Sequence, residues 1–526
     1  MIANGTESFF AGHELRELTF GWTDYILFGG LLGISVLIGI YFGFFSTKQD
    51  NTTEYLLGGK TMSFLPISMS LIASHISGVS LLGVPSEVYQ YGTQYAACIF
   101  TSFISCFLII FLYLPVFYKL QLKSTFEYLE IRFARPVRIL ASFLYTLSLI
   151  VYVPLIIYVP ALAFSQATGM NLYYVAPVIC LVCIFYTTIG GLKAVVWADT
   201  VQMTVTVGSL VAVLILGTIA VGGVGATWRI AEEGGRIVFW KYFRRSIWFL
   251  AVGLVVVKFI SVFTGLTMYA RYHKCDPITA HVVARSDKIL PYYVLDVAAD
   301  VPGLPGLFLA GLVSAGLSTM SAGLNTVAGT IYEDFIDRWM PESNDKETKA
   351  ANVMKVTVVI LGILCVGMVF LVDRLGDIFQ LSLTVTGITA GAMLGLFSLG
   401  MLVPWATTKG AVVGGLMSMV TMIWIIVGAQ WHMVNRRLYY EPLPSTTDGC
   451  LNMPGLLNRT VTTTQNLVQV ESVEDEPFFM YRISFMYYTL LGALIVIVIG
   501  TIVSFVCGAP DLSDVNRDHF APFITR

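Results

Sequence analysis

The residues best suited to chemistry lie in one uncharged stretch, Gly311–Thr330, which reads GLVSAGLSTMSAGLNTVAGT. It carries Ser314, Ser318, Thr319, Ser321, Asn325, Thr326 and Thr330 inside a segment long enough to cross a bilayer. Their oxygens are hard ligands, suited to a small cation, and polar groups at membrane depth mark ion or substrate paths. Small residues of this kind also let helices approach closely. Ion ligation and helix packing are both open readings on this stretch alone. A second cluster sits in SLIASHISGVSLLGVPSE, where Ser70, Ser74, His75, Ser77, Gly78 and Ser80 crowd an otherwise apolar segment. Gly78 among the hydroxyls suggests a broken helix, and broken helices expose carbonyls and half-helix ends that build sites in transporters. His75 lies well inside this segment, either as hydrogen-bonded packing or as a ligand. Asp199, in GGLKAVVWADTVQ, stands at the expected cytoplasmic start of another span. It either caps that helix or supports a cation site, with Gly190 and Gly191 turning the chain just before it.

These residues need membrane helices to position them. Of 526 residues, 56% are hydrophobic and only 12% charged, about half the charge of an ordinary soluble domain. The composition is that of a polytopic all-α membrane protein. Twelve segments are long enough to span: 25–47, 62–86, 91–118, 139–164, 173–192, 200–222, 246–270, 304–332, 353–372, 378–403, 410–430 and 484–507. The expected layout is an extracellular N-terminus over 1–23, a transmembrane domain over 24–507 with a large extracellular loop at 431–482, and a tail over 508–526. The net charge of −2 gives no sign of a nucleic-acid partner. No Walker motif, strand-borne GxGxxG, HExxH or Ser/His/Asp arrangement is readable, so the chain does not read as an enzyme and no cofactor is implied. Of the eight cysteines, most lie inside apolar segments, where a structural role is expected. Cys275 and Cys450 lie in polar loops and are candidates for a disulfide if both loops are extracellular.

Orientation exposes a conflict. The loop 119–138 holds Lys119, Lys123, Arg132, Arg135 and Arg138 against Glu127 and Glu130, which places it in the cytoplasm. Three spans precede it, so the N-terminus is outside. Of the Asn-X-Thr sequons, Asn4 is then open to glycosylation and Asn51 is not. Counting on, eleven spans put the sequon at Asn458 inside, although its loop has extracellular character. The loop 223–245, rich in Arg and Lys, falls outside. One further span near Trp240 and Lys241 would resolve both problems. The alternative is that Ser246–Ala270, which carries Lys258, does not span.

EYLLGGKTMSFLPISMSLIASHISGVSLLGVPSEVYQYGTQY, GGLKAVVWADTVQ and LPGLFLAGLVSAGLSTMSAGLN, in that order, resemble the sodium/solute symporter family. GVPSEVYQYGTQY is similar to its animal branch of monocarboxylate, multivitamin and iodide carriers. The resemblance implies a 5+5 inverted-repeat core with extra helices, sodium as the coupling ion, and symport of a small organic anion across the plasma membrane. It implies a sodium site made by carbonyls of Ala73, Ile76 and Ala315 and hydroxyls of Ser318 and Thr319, with Asp199 beside it. By position it puts substrate near His75, Ser80 and Ser102. It also implies that the family's first helix of the second repeat is missing between GGRIVFW and KYFRRSIWFL. A non-transporting form that associates with other membrane proteins, or symport of a vitamin or inorganic anion, is therefore the alternative function.

Overall fold

The computed structural model describes residues 20–45, 62–96, most of 101–122, 124–237, 250–340, 345–372, 378–438, 442–450, 477–508, 517–521 and 524, with isolated positions inside these stretches left out. The proposed glycosylation sites Asn4 and Asn458, the substrate candidate Ser102, and Trp240 and Lys241 lie outside the described residues.

Helix α1, Trp22–Ile40, continues into a wide turn, Tyr41–Phe45. The next span is broken. Helix α2, Phe64–His75, stops where Ile76 takes an extended conformation (φ −100°, ψ 96°). Helix α3, Gly78–Tyr91, restarts under Ser77, whose side chain accepts from the Ser80 backbone N–H at 3.3 Å. Over Leu65–His75 and Gly78–Tyr91 the two halves bend by 52°.

Helix α4, Leu114–Leu120, leads to a short helix α5, Glu127–Arg132, and then to α6, Arg135–Thr168. Gly169, with φ 72°, ends α6. Helix α7, Leu172–Val221, starts under Asn171 and breaks at Gly191 (φ 54°, ψ −157°), a backbone setting open to glycine. Spans expected at 173–192 and 200–222 are thus the two arms of one interrupted helix. Asp199 lies eight residues past the break and is fully buried. The capping role is ruled out, because the helix has already restarted at Leu192. Then follow α8, Val224–Glu233, α9, Leu250–Tyr272, α10, Ile289–Val297, and α11, Leu304–Ile331. Helices α12, Lys346–Val372, α13, Ile378–Leu402, α14, Thr408–Val434, and α15, Tyr488–Val506, complete the order.

Contacts between distant residues assign the helix ends. The end carrying Arg132 and Arg138 is inner by the positive-inside rule. Arg138 pairs with Asp334 just past α11, so α11 runs from outer to inner end. Its outer start agrees, because Asp24 at the head of α1 accepts from the Gly306 N–H at 2.8 Å. Arg132 donates to the carbonyls of Gly400, Val403 and Pro404 at the inner end of α13. The Thr407 N–H donates to Ser504, so α15 ends inside, and the Ala521 N–H reaches Met401 O. The tail therefore meets the inner end. Cys275 and Cys450 are joined by a disulfide at the other end.

These directions show the repeat. The broken pair α2–α3, the α4 span, α6 and the two arms of α7 alternate in one sense. Helices α9, α11, α12 and α13 match the last four in the inverted sense. Among the described residues the broken pair has no counterpart. Arg236 stacks on Tyr269, so both lie at the outer end. Leu250 precedes Tyr269 by nineteen helical residues, about 28 Å at 1.5 Å per residue, and lies at the inner end. Twelve residues, 238–249, join Ile237 to Leu250. As a helix they would rise only about 18 Å, short of the bilayer's ~30 Å core. The lost helix thus explains the parity conflict. Helix α9 packs beside α3 and α7.

The main core lies where α11 packs on α6 and α7, and its buried residues include Val153, Tyr158, Ala198, Leu312 and Met320. By contrast, α15 exposes Leu490, Leu494, Val498, Ile502 and Phe505. That near-four-residue spacing gives an apolar stripe suited to lipid.

Candidate sodium and substrate site

The break between α2 and α3 faces the hydroxyl-rich helix α11. The Ile76 N–H is shared between the carbonyls of Ile72 and Ala73 (3.1 and 3.2 Å), so the helix ladder ends there and carbonyls become available. Ala73 and Ile76 are buried, at 3% and 4% exposure. On α11, Ala315 and Thr319 are one turn apart, and the Thr319 hydroxyl lies 3.1 Å from Ala315 O and 3.5 Å from Ser74 O. The structure therefore brings Thr319 and Ala315 beside Ser74, in the turn that holds Ala73 and Ile76, across 245 residues of chain. Ser318 is 1% exposed, and its hydroxyl lies beside the buried Asp199 carboxylate. An oxygen with free lone pairs beside exposed carbonyls suits a small hard cation.

Asp199 lies beside this cluster. Its Oδ2 accepts from the Ser70 hydroxyl at 2.6 Å, and its carboxylate also faces Ser318. Ser70 lies on the inner half of the broken helix, so the carboxylate joins that half to α7. The sequence marked Ser70 only as one hydroxyl among several. No local pattern pointed to its partner, which lies on another helix.

Close packing makes these approaches feasible. A Cβ on Gly311 would stand 2.9 Å from Thr206 Cα, and the Thr206 hydroxyl donates to Gly311 O at 2.8 Å. The hydroxyl-rich stretch therefore serves helix packing. Ser314 and Asn325 keep unpartnered polar atoms among the described residues, whereas Ser321 closes on Ser318 O at 2.9 Å.

The substrate candidates fare differently. His75 is exposed within the protein, and its Nδ1 is 2.9 Å from Leu71 O. With that nitrogen donating, a neutral ring offers only an acceptor at Nε2, and the imidazolium alone would donate to a carboxylate. The Ser80 hydroxyl donates to Ser77 O at 2.8 Å, inside the start of α3. Below the break, a cavity of about 1300 Å³ opens among Tyr113, Phe117, Tyr145, Asn325, Thr326 and Phe397 at the inner end. It stops within two turns of Ser318 along α11.

Comparison with known proteins agrees with this architecture. The model of the "Sodium:solute symporter family" matches residues 55–233 and 240–418, parting at the junction where the helix is lost. Human sodium-coupled monocarboxylate transporter 1 is 35% identical over 546 aligned positions, covering 93% of this chain and 88% of that protein. That alignment is longer than the chain itself, so the relative carries residues that are absent here. Mouse sodium-coupled monocarboxylate transporter 2 is 34% identical over 95% and 86%. Rabbit sodium-dependent multivitamin transporter is 33% identical over 93% and 83%. A solved substrate-bound, outward-open sodium-coupled sialic acid symporter superposes with a TM-score of 0.67. It is 19% identical, over 93% of this chain and 99% of that one, and so speaks for the fold. On this agreement of topology, site and sequence, the chain belongs to the sodium:solute symporter family.

Proposed function

We propose that this chain carries a small organic anion, such as a monocarboxylate, into the cell by coupling to sodium at the plasma membrane. The observation that carries the reading is the meeting of the helix break with Thr319, beside the buried Ser318 and Asp199. Sodium is held by the carbonyls of Ala73, Ile76 and Ala315 and the hydroxyls of Ser318 and Thr319, with Asp199 supporting the site electrostatically. Ion occupancy then ties the broken helix to α11 and favours one set of helix positions over the other. His75, Ser80 and Ser102 border the substrate path. Residues 1–23 and 431–482 face outside, where Asn4 and Asn458 are glycosylated. Relatives named as monocarboxylate transporters support the substrate class.

A second reading has its own support. The twelve-residue interval 238–249 removes the partner of the broken helix, and that partner would line the same path. A membrane protein that keeps the fold and acts as a partner for other membrane proteins fits this loss.

Sodium-replacement uptake of labelled lactate, butyrate, biotin and iodide, with surface expression measured in parallel, separates the two. Sodium-dependent uptake of lactate or butyrate supports symport of an organic anion. Uptake of iodide alone refutes the organic substrate, and no uptake by a surface-resident chain supports the second reading.

A further inference from the structure

The outer end of the bundle is shut by one buried cation. Arg236 is 1% exposed and forms no ion pair among the described residues. Its Nε donates to Tyr89 O at 2.8 Å, and its terminal nitrogens reach Gly234 O, Leu443 O and Pro444 O at 3.5, 3.5 and 3.3 Å. Its guanidinium sits 4.1 Å above the Tyr269 ring of α9. Through these contacts it joins the tip of α3, the end of α8, α9 and the strap 443–450.

The same four pieces meet again around it. The Thr93 N–H donates to Arg236 O at 2.8 Å. Gly92 (φ 76°) is needed there, because a Cβ would stand 2.7 Å from that oxygen. The Tyr89 hydroxyl donates to Asp276 at 2.7 Å, and the Leu443 N–H donates to Gln90 O at 2.9 Å. The Asp276 N–H donates to Thr446 O, and the disulfide Cys275–Cys450 fixes the strap's far end. At the opposite end of the bundle the large cavity stands open.

We propose that Arg236 is a positioning residue for the transport cycle: it latches the outer half of the broken helix to α9 and the strap, holding the outer mouth shut while the inner cavity is open. The proposal rests on the transporter reading for its purpose but not for its test. The physical basis is the kind of bond. A guanidinium held by carbonyls and a ring, rather than by carboxylates, can be released to water without leaving an unpaired carboxylate behind. Burying it dry is unfavourable unless every contact is made. Such a cluster is made or broken as a unit, which suits a gate that must release when the broken helix swings outward. The outer half of α3 moves in any rocking of one repeat against the other, and its tip is where the latch grips.

The test uses the full chain with Ser86→Cys, a buried position one turn below the latch whose hydroxyl donates to Ser286 O. A membrane-impermeant maleimide is applied from outside, against the parent chain as background. Removing hydrogen bonds to a buried charge should speed labelling by roughly tenfold or more in Arg236→Ala. Arg236→Lys, which keeps charge but not the fork, should fall between. Tyr269→Leu should speed labelling without touching the guanidinium's carbonyl partners. Where a variant does not reach the surface, the same labelling is run on detergent-purified chain. Equal labelling rates for all three variants and the Ser86→Cys parent overturn the proposal, whether or not the chain transports. Faster labelling in a chain that shows no uptake supports the latch and counts against the transporter reading alone.

Discussion

Ser70, on the inner half of the broken helix, donates its hydroxyl to Asp199 at 2.6 Å across 129 residues of chain. The bond pins the inner half of that helix to α7 beside the proposed ion site. Replacing Asp199 by Ala leaves Ser70 without its acceptor and removes the charge nearest Ser318. The expected result is a fall in apparent sodium affinity of about 10–100-fold, the range for losing a supporting partner at a metal site. Sodium titration of uptake in a variant matched for surface level checks it. Ser70→Ala, which keeps the charge, should have a smaller effect.

Ser318→Ala and Thr319→Ala each remove one ligand oxygen while leaving the carbonyls in place. Each should raise the sodium concentration for half-maximal uptake by about tenfold, equivalent to ~1.4 kcal/mol. The maximal rate should change less. Unchanged sodium dependence in a surface-expressed double variant would remove both residues from the site.

Asp24 joins two helix heads. Its Oδ2 accepts from Gly21 N–H at 2.9 Å and its Oδ1 from Gly306 N–H at 2.8 Å, while the side chain is buried. Two charge-assisted bonds at positive helix ends predict a loss of about 3 kcal/mol or more for Asp24→Ala. A lowered melting temperature of the purified chain reads this directly. Asp24→Asn, which keeps both acceptors on one oxygen at best, should lie between.

Gly311 is where α11 meets α7 backbone to backbone. Gly311→Val places branched carbon against Thr206 and disturbs the Thr206–Gly311 hydrogen bond. Overpacking of this kind destabilises by about 1–3 kcal/mol. Reduced surface expression with an altered sodium response should follow, because the proposed ligands ride on the same helix.

The C-terminal tail carries a pH-dependent contact. His519 sits below the usual imidazole range because it is half-buried and because Arg132 is close. Its carbonyl accepts from the Tyr128 hydroxyl at 3.0 Å, and neighbouring Phe520 lies under the Arg132 guanidinium. A depressed histidine pKa means that docking favours the neutral ring. The docked tail is therefore fully favoured above the free value near 6.5 and weakens as pH falls through that value toward the lower docked one. Protease accessibility of the tail should rise between about pH 6.5 and pH 5, and His519→Gln should abolish the dependence. Lack of any pH effect in the parent would show that the histidine is not coupled to docking.

Much of this protein was legible along the chain. Long apolar runs require helices that satisfy their own backbone in lipid, so the spans and the turn after Thr168 could be read by composition. Gly78 among hydroxyls announced the broken helix, and Gly190 and Gly191 the break in α7. Charge parity alone exposed the missing helix, because the positive-inside rule and the polar loop demanded one crossing more than the segments supplied. Other features were decided only in three dimensions. Ser70 and Asp199, Asp24 and Gly306, and Arg236 and Tyr89 lie far apart in sequence, and nothing periodic links them. Asp199 read equally well as a helix cap until the helix was seen to restart at Leu192. His75 read as packing or as a ligand, and its Nδ1 lies against Leu71 O. Local pattern determines which segments become helices. Which polar atoms remain without partners, and so become free to bind, depends on how those helices pack.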